Sequence, residues 1–441
     1  MAHITPPEHD LLDQVFPVGT VRDDAGALVI GGVDVEALAE ECGTPLYIYD
    51  EATLRAACRG YTRALADTYP NALVLYAGKA YVDPTLLQVA ASEGLGMDAV
   101  SSGEVHVAQA AGMPLERVVL HGNNKLPREI DLALELGVGR IVVDALEEIE
   151  IIDDLARRRG QTAQVLMRLT PGVEAHTHDY IRTGAVDSKF GLGLDSGAAE
   201  EAVARAMRAP NLDVMGLHAH IGSQIFDTEP YADTINITLD FAERMRAAHG
   251  LDLRDLSPGG GGGVRYTLDD DPPDPADIVE AITSTVLARG LAHPPRLLIE
   301  PGRSIVARSG VALYAVGTVK HIPGVRTYVS VDGGMADNPR PALYQSKYAA
   351  LLANRPADGP PEAVTLAGRY CESGDVLLRD TVLPPLRRGD LITIPTSGAY
   401  HMSMASTYNM VGRPAVVMVA DGQARLTRRR ETDEDLLAVF P

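Results

Sequence analysis

Hydrophobic and polar positions repeat in a regular order between residues 70 and 302. A short apolar or β-branched run ends in small or polar residues, and an amphipathic segment with apolar residues three and four positions apart follows it. The runs occupy residues 72–77, 95–100, 117–121, 140–144, 164–170, 212–220, 253–260 and 296–300. Strands that alternate with helices in this number predict a (β/α)8 barrel, although an open doubly wound sheet is the alternative.

The pattern changes on both sides of this region. After residue 305, alternating apolar and polar residues with intervening turn residues are typical of antiparallel strands. The first 49 residues also contain strand-like runs, and we expect them to pair with the C-terminal strands. The predicted fold is therefore α/β, with N-terminal strands over 1–49, a barrel over 50–304 and a β-domain over 305–441 that includes the N-terminal strands.

Composition and charge exclude several classes of function. The net charge of −21 argues against a nucleic-acid partner and against binding to anionic membranes. No run approaches ~20 apolar residues, and the N-terminal segment lacks the basic and apolar regions of a secretory signal. The 3 cysteines are too few for a disulfide framework, so we expect a cytoplasmic protein that neither crosses nor binds a membrane.

Reactive side chains follow the predicted barrel strands. The C-terminal strand ends of a barrel meet at one mouth, where active sites form. The residues at these positions are Lys79, Asp98, His121, Asp144, Arg168, His220, the glycine run 259–263 and Glu300. Ordinary loops would contain more Ser, Thr and Asn, so this set predicts an active site at the mouth.

Lys79 and the glycine run together indicate a phosphorylated aldehyde cofactor. A partly desolvated lysine can lose its proton and form a Schiff base. The glycines follow the seventh predicted strand, where barrels commonly bind phosphate, although a flexible hinge is the alternative. These features predict pyridoxal 5′-phosphate, with Glu300 against the ring nitrogen and His220 against a face of the ring.

Seven motifs, in order along the chain, resemble those of the fold-type III pyridoxal-phosphate-dependent decarboxylases. They are YAGKAY, HAHIGSQ, the glycine run, EPGR, MADNPRPALY, CESGD and GAYHMSMASTYN. The resemblance covers about residues 45 to 415, and the glycine run is longer than the three glycines usual in the family. It implies an enzyme that uses pyridoxal 5′-phosphate and no metal, and a homodimer with shared active sites.

The resemblance also implies a role for each matched residue. The catalytic residues would be Lys79, which forms an aldimine with the cofactor, His220, Glu300 and Cys371. The cofactor would be bound by Lys79, Asp98, His121, Arg168, His220, Ser223, Gly259, Gly260, Gly261, Glu300, Arg303 and Tyr400. The substrate would be bound by Arg303, Arg340, Tyr344, Glu372 and Tyr400.

Some of these roles would cross between subunits. Cys371 would protonate the quinonoid carbon in the active site of the other subunit, and Glu372 would bind the distal ammonium group there. Lys189 would contribute an ion pair at the subunit interface. Which three of the five glycines contact the phosphate stays open.

The distal end of the implied site favours a dicarboxylic amino acid. Arg303 and Arg340 suit a second carboxylate, whereas a basic substrate would require an acidic residue there. The implied reaction is decarboxylation of meso-2,6-diaminopimelate to L-lysine and CO2. The alternatives are a decarboxylase of ornithine, arginine, carboxynorspermidine or a D-amino acid, an amino-acid racemase, and a single-barrel protein that buffers the cofactor. Glu300 and Cys371 argue against the racemase, and the β-domain argues against the buffering protein.

Overall fold

The structure is a computed structural model that describes residues 8–173 and 189–441. Contacts divide these residues into two units. The β unit contains the chain up to Ala56, residues Val264–Asp271 and the chain from Ile305 onward, and the barrel unit contains Ala57–Gly263 and Pro272–Ser304. Residues 264–271, which follow the glycine run, therefore belong to the β unit. No helix in the described part of the chain is long and apolar enough to span a membrane.

The strands and helices alternate through much of the chain. The strands are β1 Val21–Arg22, β2 Leu28–Ile30, β3 Val33–Asp34, β4 Leu46–Asp50, β5 Ala72–Ala77, β6 Gly96–Ala99, β7 Val118–Leu120, β8 Arg140–Val143, β9 Ala163–Thr170, β10 Leu192–Gly193, β11 Leu212–Ala219, β12 Asp255–Gly259, β13 Arg296–Ile299, β14 Gly310–Ile322, β15 Arg326–Val331, β16 Leu351–Leu352, β17 Glu362–Ala367, β18 Val376–Leu383, β19 Leu391–Ile394, β20 Ala415–Ala420 and β21 Gln423–Arg428. The helices are α1 Glu8–Gln14, α2 Val35–Cys42, α3 Glu51–Thr68, α4 Pro84–Ser92, α5 Ser102–Ala110, α6 Pro127–Leu136, α7 Leu146–Arg159, α8 Ala198–Ala206, α9 Glu229–His249, α10 Pro275–Ala288, α11 Arg303–Val306, α12 Arg340–Tyr344 and α13 Asp433–Leu437.

The barrel unit is a closed ring of parallel strands. The ring contains β5, β6, β7, β8, β9, β11, β12 and β13, and it closes where β8 pairs with β9 and β13 pairs with β5. Each of the predicted runs coincides with one of these strands to within a few residues, so the (β/α)8 prediction is confirmed. Apolar side chains from successive strands fill the interior: Leu75, Val119, Val142, Leu166, Met215 and Leu298.

Local sequence signals set the limits of the barrel helices. The Asp83 side chain accepts a hydrogen bond from the Leu86 N–H group at the start of α4. Gly137, Gly160 and Gly250 end α6, α7 and α9 in the left-handed conformation that glycine adopts at low cost. The helices therefore end near their strands, and the strand ends remain at the mouth of the barrel.

The β unit is built around strand β4. This strand pairs antiparallel with β14 on one side and parallel with β20 on the other, which confirms that an N-terminal strand joins the C-terminal sheet. The other N-terminal strands, β1 to β3, form a separate small antiparallel sheet. The large sheet is mixed rather than purely antiparallel, because β15 and β17 also pair in parallel.

The two faces of β4 are both buried but differ in chemistry. Leu46 and Ile48 belong to the apolar core of the β unit. Because side chains alternate along a strand, Tyr47 and Tyr49 lie on the opposite face, where their hydroxyl groups are hydrogen-bonded. One strand thus separates an apolar core from a buried polar region.

We expect Gly216→Ala to destabilise the barrel. Gly216 lies in β11 opposite Asp255, and an added Cβ would lie 1.8 Å from the Asp255 carbonyl oxygen. Overpacking of this kind costs ~1–3 kcal/mol, so thermal unfolding should show a clearly lower Tm. Gly103→Ala is the control, because its added Cβ would meet its nearest neighbour, the Ser101 Oγ atom, at 3.6 Å. Equal Tm values for the two variants would contradict the close packing at Gly216.

Candidate active site

Acidic and imidazole side chains meet at the mouth of the barrel. Asp98 lies in β6, His121 follows β7 and Glu300 follows β13, so three strand ends deliver them to one place. The His121 Nε2 atom lies 3.5 Å from Asp98 Oδ1 and 3.6 Å from Glu300 Oε1. All three side chains are buried. The structure therefore brings together three of the residues that were predicted from the sequence.

Two residues that the sequence reasoning missed hold the Glu300 carboxylate. The Ser257 hydroxyl group donates to Oε1 at 2.7 Å, and His218 Nε2 lies 3.1 Å from Oε2. Burial acts to raise the pKa of Glu300, but His218, His121 and the hydrogen bonds from His218 and Ser257 together hold it below its usual range. Glu300 is therefore an ionised carboxylate inside the protein.

Burial favours the uncharged forms of two neighbours of Glu300, Asp98 and His121. Burial and the charge of Glu300 raise the pKa of Asp98 well above its ordinary value, so this carboxyl group keeps its proton. Burial lowers the pKa of His121 well below its ordinary value. Asp98 Oδ1 and His121 Nε2 have no hydrogen-bond partner among the described residues. Buried polar atoms without a partner are costly, which indicates that they face a ligand.

The glycine run lies against neighbouring backbone. An added Cβ would lie 2.6 Å from His220 Nδ1 at Gly259, 1.9 Å from the Glu300 carbonyl oxygen at Gly260, and 2.4 Å from the Gly222 carbonyl oxygen at Gly261. Gly259 and Gly261 also have positive φ angles of 76° and 110°. Side chains cannot be accommodated here, and this packing favours a fixed loop over a flexible hinge.

The hydrogen bonds of the run leave two adjacent donors for a ligand. The Gly259 N–H group donates to Ser257 Oγ at 3.1 Å, and the Gly260 N–H group donates to His220 Nδ1 at 3.3 Å. Across residues 8–173 and 189–441, the Gly261 and Gly262 N–H groups have no acceptor. Consecutive backbone N–H groups of this kind form a cradle for an anion such as phosphate.

Ser223 and Arg303, two predicted ligand-binding residues, are hydrogen-bonded to each other. Arg303 Nη2 donates to Ser223 Oγ at 3.0 Å. Arg303 begins α11 directly after the Glu300 strand end, and its side chain is buried. The Ser223 hydroxyl proton is then free to point away from the guanidinium group, as an anion-binding hydroxyl group requires.

Lys79 lies on a single 3-10 turn, Gly78–Ala80, at the end of β5. The side chain is exposed. Its positive charge lowers the pKa of Asp98, and it adds to the burial that lowers the pKa of His220 well below the usual value. Lys79 is therefore close to both groups. An added Cβ at Gly78 would lie 2.4 Å from the Met97 side chain, which explains why glycine precedes the lysine.

Arg168 forms an ion pair with Asp144. The Arg168 Nη1 atom lies 3.3 Å from Asp144 Oδ2, and the guanidinium group lies 4.5 Å from the centre of the Phe190 ring. Asp144 also accepts a hydrogen bond from the Gly191 N–H group at 2.8 Å. Lys189, whose ammonium group lies 4.9 Å from the same ring, is exposed next to this contact.

The remaining predicted residues lie in the β unit. Arg340 begins α12 and is 6% exposed, with its guanidinium group 4.6 Å from the centre of the Tyr266 ring. Tyr344 ends the same helix. Tyr400 has a φ of 62°, a left-handed conformation that is uncommon for non-glycine residues.

The loop that carries Cys371 and Glu372 is fixed although both residues are exposed. The Cys371 N–H group donates to Asn409 Oδ1 at 2.9 Å. The Asp375 carboxylate accepts two backbone N–H groups at 2.7 Å, and an added Cβ at Gly368 would lie 2.2 Å from it. The exposed thiol group is thus held on a rigid support.

The barrel residues fit pyridoxal phosphate. Its phosphate group suits the Gly261 and Gly262 donors, its ring nitrogen suits the ionised Glu300, and Lys79 supplies an amine. His121, His218 and Glu300 also offer ligand atoms within 4.8 Å of one another, a spacing that a metal ion could use. A metal ion at this position would not account for the available Gly261 and Gly262 N–H groups or for Lys79. Pyridoxal phosphate accounts for all of them and therefore fits more of the site.

Comparisons with known proteins agree with this reading of the site. Residues 52–307 match the family described as "Pyridoxal-dependent decarboxylase, pyridoxal binding domain". The diaminopimelate decarboxylase of Bacillus subtilis (strain 168) is 46% identical over 427 residues, which cover 96% of this chain and 97% of that protein.

Solved structures resemble the chain over nearly its full length. A diaminopimelate decarboxylase from M. jannaschii in complex with L-lysine has a TM-score of 0.90 and 35% identity, and the match covers 96% of this chain and 97% of the other. The Helicobacter pylori enzyme complexed with L-lysine has a TM-score of 0.85 and 33% identity, with 92% and 99% covered.

The chain therefore belongs to the pyridoxal-dependent decarboxylases, which are carboxy-lyases that use pyridoxal phosphate. Within that family it belongs with the diaminopimelate decarboxylases, since relatives of this kind match it from end to end. The pyridoxal-phosphate prediction is confirmed, whereas the individual roles of the residues stay predictions.

We expect Asp98→Asn to stabilise the cofactor-free protein at neutral pH. In the unfolded chain Asp98 ionises near its ordinary pKa, but in the folded protein burial and Glu300 keep it protonated. The unfolded state therefore releases a proton that the folded state retains, and stability is lost as the pH rises from about 4 towards the raised pKa. The asparagine variant lacks this loss.

Thermal unfolding between about pH 5 and about pH 8 measures the effect. The Tm of Asp98→Asn should exceed that of the unchanged protein, by about 2–4 °C for each kcal/mol, and the difference should grow with pH. Asp24→Asn, at an exposed position, is the control and should show no such trend. A difference that stays constant across this pH range would show that Asp98 is already ionised in the folded protein.

Proposed function

We propose that the protein decarboxylates meso-2,6-diaminopimelate to L-lysine and CO2. One observation supports this substrate above the alternatives: Arg340 is buried, yet it forms no ion pair with a carboxylate in the described part of the chain. A buried guanidinium group is costly unless an anion pairs with it. The second carboxylate of a dicarboxylic amino acid would supply that anion.

Pyridoxal phosphate, when bound, supplies an electron-withdrawing ring that accepts the electron pair left by the departing carboxyl group. Lys79 would attach the cofactor through its amine, and the ionised Glu300 would keep the ring nitrogen protonated. His220 would cover one face of the ring. Ser223 and the glycine run would bind the phosphate, and the Gly261 and Gly262 N–H groups are the donors that remain available.

Asp98, His121 and Arg168 would support this arrangement around Glu300 and Lys79. The neutral state of Asp98 and His121 leaves Glu300 as the one negative charge beside the ring nitrogen. Arg168, which is paired with Asp144, would act through its surroundings rather than as an anion receptor.

The substrate would be held at its non-reacting end by Arg340, Arg303, Tyr344 and Tyr400, while Glu372 would bind the distal ammonium group. Cys371 would donate a proton to the α-carbon after CO2 leaves. Its thiol group is exposed and its backbone is fixed by Asn409, which suits a residue that acts in the active site of a second subunit. A homodimer with shared sites follows from this proposal, with Lys189 at the interface.

The protein would act in the cytoplasm, since its three cysteines are free thiols. A racemase of the same fold would need a cation beside the ring nitrogen, and the ionised Glu300 does not provide one. An ornithine or arginine decarboxylase would need an acidic group where Arg340 lies.

A substrate panel with purified protein and added pyridoxal phosphate tests the function. We expect CO2 release from meso-diaminopimelate and, by comparison, at least ~100-fold lower kcat/KM with ornithine and arginine, because these substrates leave the buried guanidinium group unpaired. No racemisation of alanine is expected. Equal CO2 release from ornithine would contradict the proposed substrate. No CO2 release from any amino acid would contradict the proposal that the protein is a decarboxylase.

Mixing two inactive variants tests the shared site. Lys79→Ala and Cys371→Ala should each be inactive alone. After random subunit exchange, half of the dimers are mixed and each contains one intact site, so about a quarter of the original activity should return. A mixture that stays inactive, although two different affinity tags on the variants co-purify and so show mixed dimers, would place Cys371 and Lys79 of one chain in the same site.

A further inference from the structure

A chain of buried hydrogen bonds begins at Arg340 in the β unit. Arg340 Nη1 donates to the Tyr348 hydroxyl group, which lies 2.8 Å from His401 Nε2. His401 Nδ1 lies 3.3 Å from the Tyr47 hydroxyl group, and that hydroxyl group lies 3.2 Å from Asp337 Oδ2. All five side chains are buried, and His401 is fully inaccessible to solvent. Neither Tyr348 nor His401 was singled out in the sequence.

The hydrogen bonds of this series are all satisfied in one direction, which starts at Arg340. A guanidinium group has only donors, so the Tyr348 oxygen accepts from Arg340 and its own proton goes to His401 Nε2. His401 is therefore neutral with its proton on Nδ1, which donates to the Tyr47 oxygen. The Tyr47 proton then goes to the Asp337 carboxylate. Every donor in the series then has an acceptor.

The far end of the chain is anchored in the fold. Asp337 Oδ1 accepts the Gly334 N–H group at 2.8 Å, and Oδ2 also accepts the Tyr314 hydroxyl group. Tyr47 lies in β4, the strand that joins the N-terminal segment to the large sheet. Arg340 is thus connected, through buried and hydrogen-bonded side chains, to the central strands of its unit.

This series of hydrogen bonds contacts the Arg340 guanidinium group without neutralising its positive charge. Tyr348 and His401 are uncharged in this arrangement, and on another side the guanidinium group contacts the aromatic ring of Tyr266. Neutral oxygen and aromatic partners stabilise a guanidinium group only partly, so its charge remains available to an anion. A carboxylate in the place of Tyr348 would have competed with a bound carboxylate.

We propose that Tyr348 and His401 are positioning residues that orient Arg340 for the non-reacting carboxylate of the substrate, and thereby set the affinity for amino acids that carry it. This inference rests on the proposed function, because it takes Arg340 as the receptor for that carboxylate. The two residues act through Arg340 and do not themselves contact the reacting atoms.

Two inhibitors separate this role from a general structural one. Decarboxylation removes one carboxylate, so the product L-lysine retains the one that does not react, whereas 1,5-diaminopentane has neither. We expect Tyr348→Phe to raise the KM for meso-diaminopimelate and the Ki of L-lysine by ~10-fold, the usual effect of losing one hydrogen bond to a charged group. The kcat value and the Ki of 1,5-diaminopentane should change by less than about twofold, because these quantities do not depend on the orientation of Arg340.

Tyr69→Phe is the matched control. Tyr69 is a buried tyrosine of the barrel unit whose hydroxyl group donates to the Pro295 carbonyl oxygen at 2.6 Å, so the variant loses one buried hydrogen bond away from Arg340. It should lower the Tm to a similar extent as Tyr348→Phe and leave the KM and both Ki values unchanged. His401→Gln, which keeps an acceptor for Tyr348, should lie between Tyr348→Phe and the unchanged protein.

The other outcomes overturn the inference. Unchanged KM and Ki values in Tyr348→Phe, a loss confined to kcat, or an equal weakening of L-lysine and 1,5-diaminopentane would each show that Tyr348 does not act through Arg340. If Tyr348→Phe does not fold, Tyr47→Phe interrupts the series of hydrogen bonds two residues further from Arg340, and a smaller difference between the two inhibitors is expected in the same direction. If the unchanged protein releases no CO2 from meso-diaminopimelate, it is the proposed function that fails.

Discussion

The candidate site depends on keeping a carboxylate ionised inside the barrel without pairing it with a permanent cation. Glu300 is buried at a strand end, where loss of water would normally drive it to take up a proton. Ser257 and His218 prevent this by hydrogen-bonding one oxygen each. Because neither partner is an arginine or lysine, the negative charge is stabilised but not cancelled, and it remains available to a cationic ring nitrogen.

The same constraint explains the unfavourable states of the neighbouring groups. Asp98 stays protonated because burial and the charge of Glu300 both oppose a second anion, and His121 stays neutral because it is buried. Two polar atoms therefore lack a hydrogen-bond partner among the residues that the structure describes, Asp98 Oδ1 and His121 Nε2. A protein that folds for stability alone would replace such groups, so the cost indicates a site organised around a ligand.

The sequence was sufficient for the barrel and for the strand ends. Runs such as 72–77 end in residues whose position at the mouth follows from topology alone, so Asp98, His121 and Glu300 could be found without a structure. Ser257 and His218 could not, because they lie within strands where Ser and His are usual core residues. Only the alternation of β11, which places His218 two residues before His220, gave a signal.

The β unit was harder to read from the sequence because its important contacts are distant along the chain. Tyr47 and His401 are separated by 354 residues, and no local pattern relates them. The mixed character of its sheet was not predicted for the same reason, because the parallel pairing of β4 with β20 joins segments from the two ends of the chain. Sequence periodicity reports which face of a strand is buried, but it does not report which strand lies beside it.

Among the described residues, each unit therefore buries one charge and hydrogen-bonds it without a permanently charged partner of opposite sign. In the barrel unit the hydrogen-bonding groups are a serine and a histidine around Glu300, and in the β unit they are tyrosines and a histidine around Arg340. Pairing each buried charge with an opposite charge of the protein would have made the ligand-free protein more stable. A ligand would then have to displace that protein group, which carries the same charge as the ligand. Without such a partner, the ligand supplies the opposite charge. The cost of burying the charge of Glu300 or Arg340 therefore favours ligands of the opposite charge.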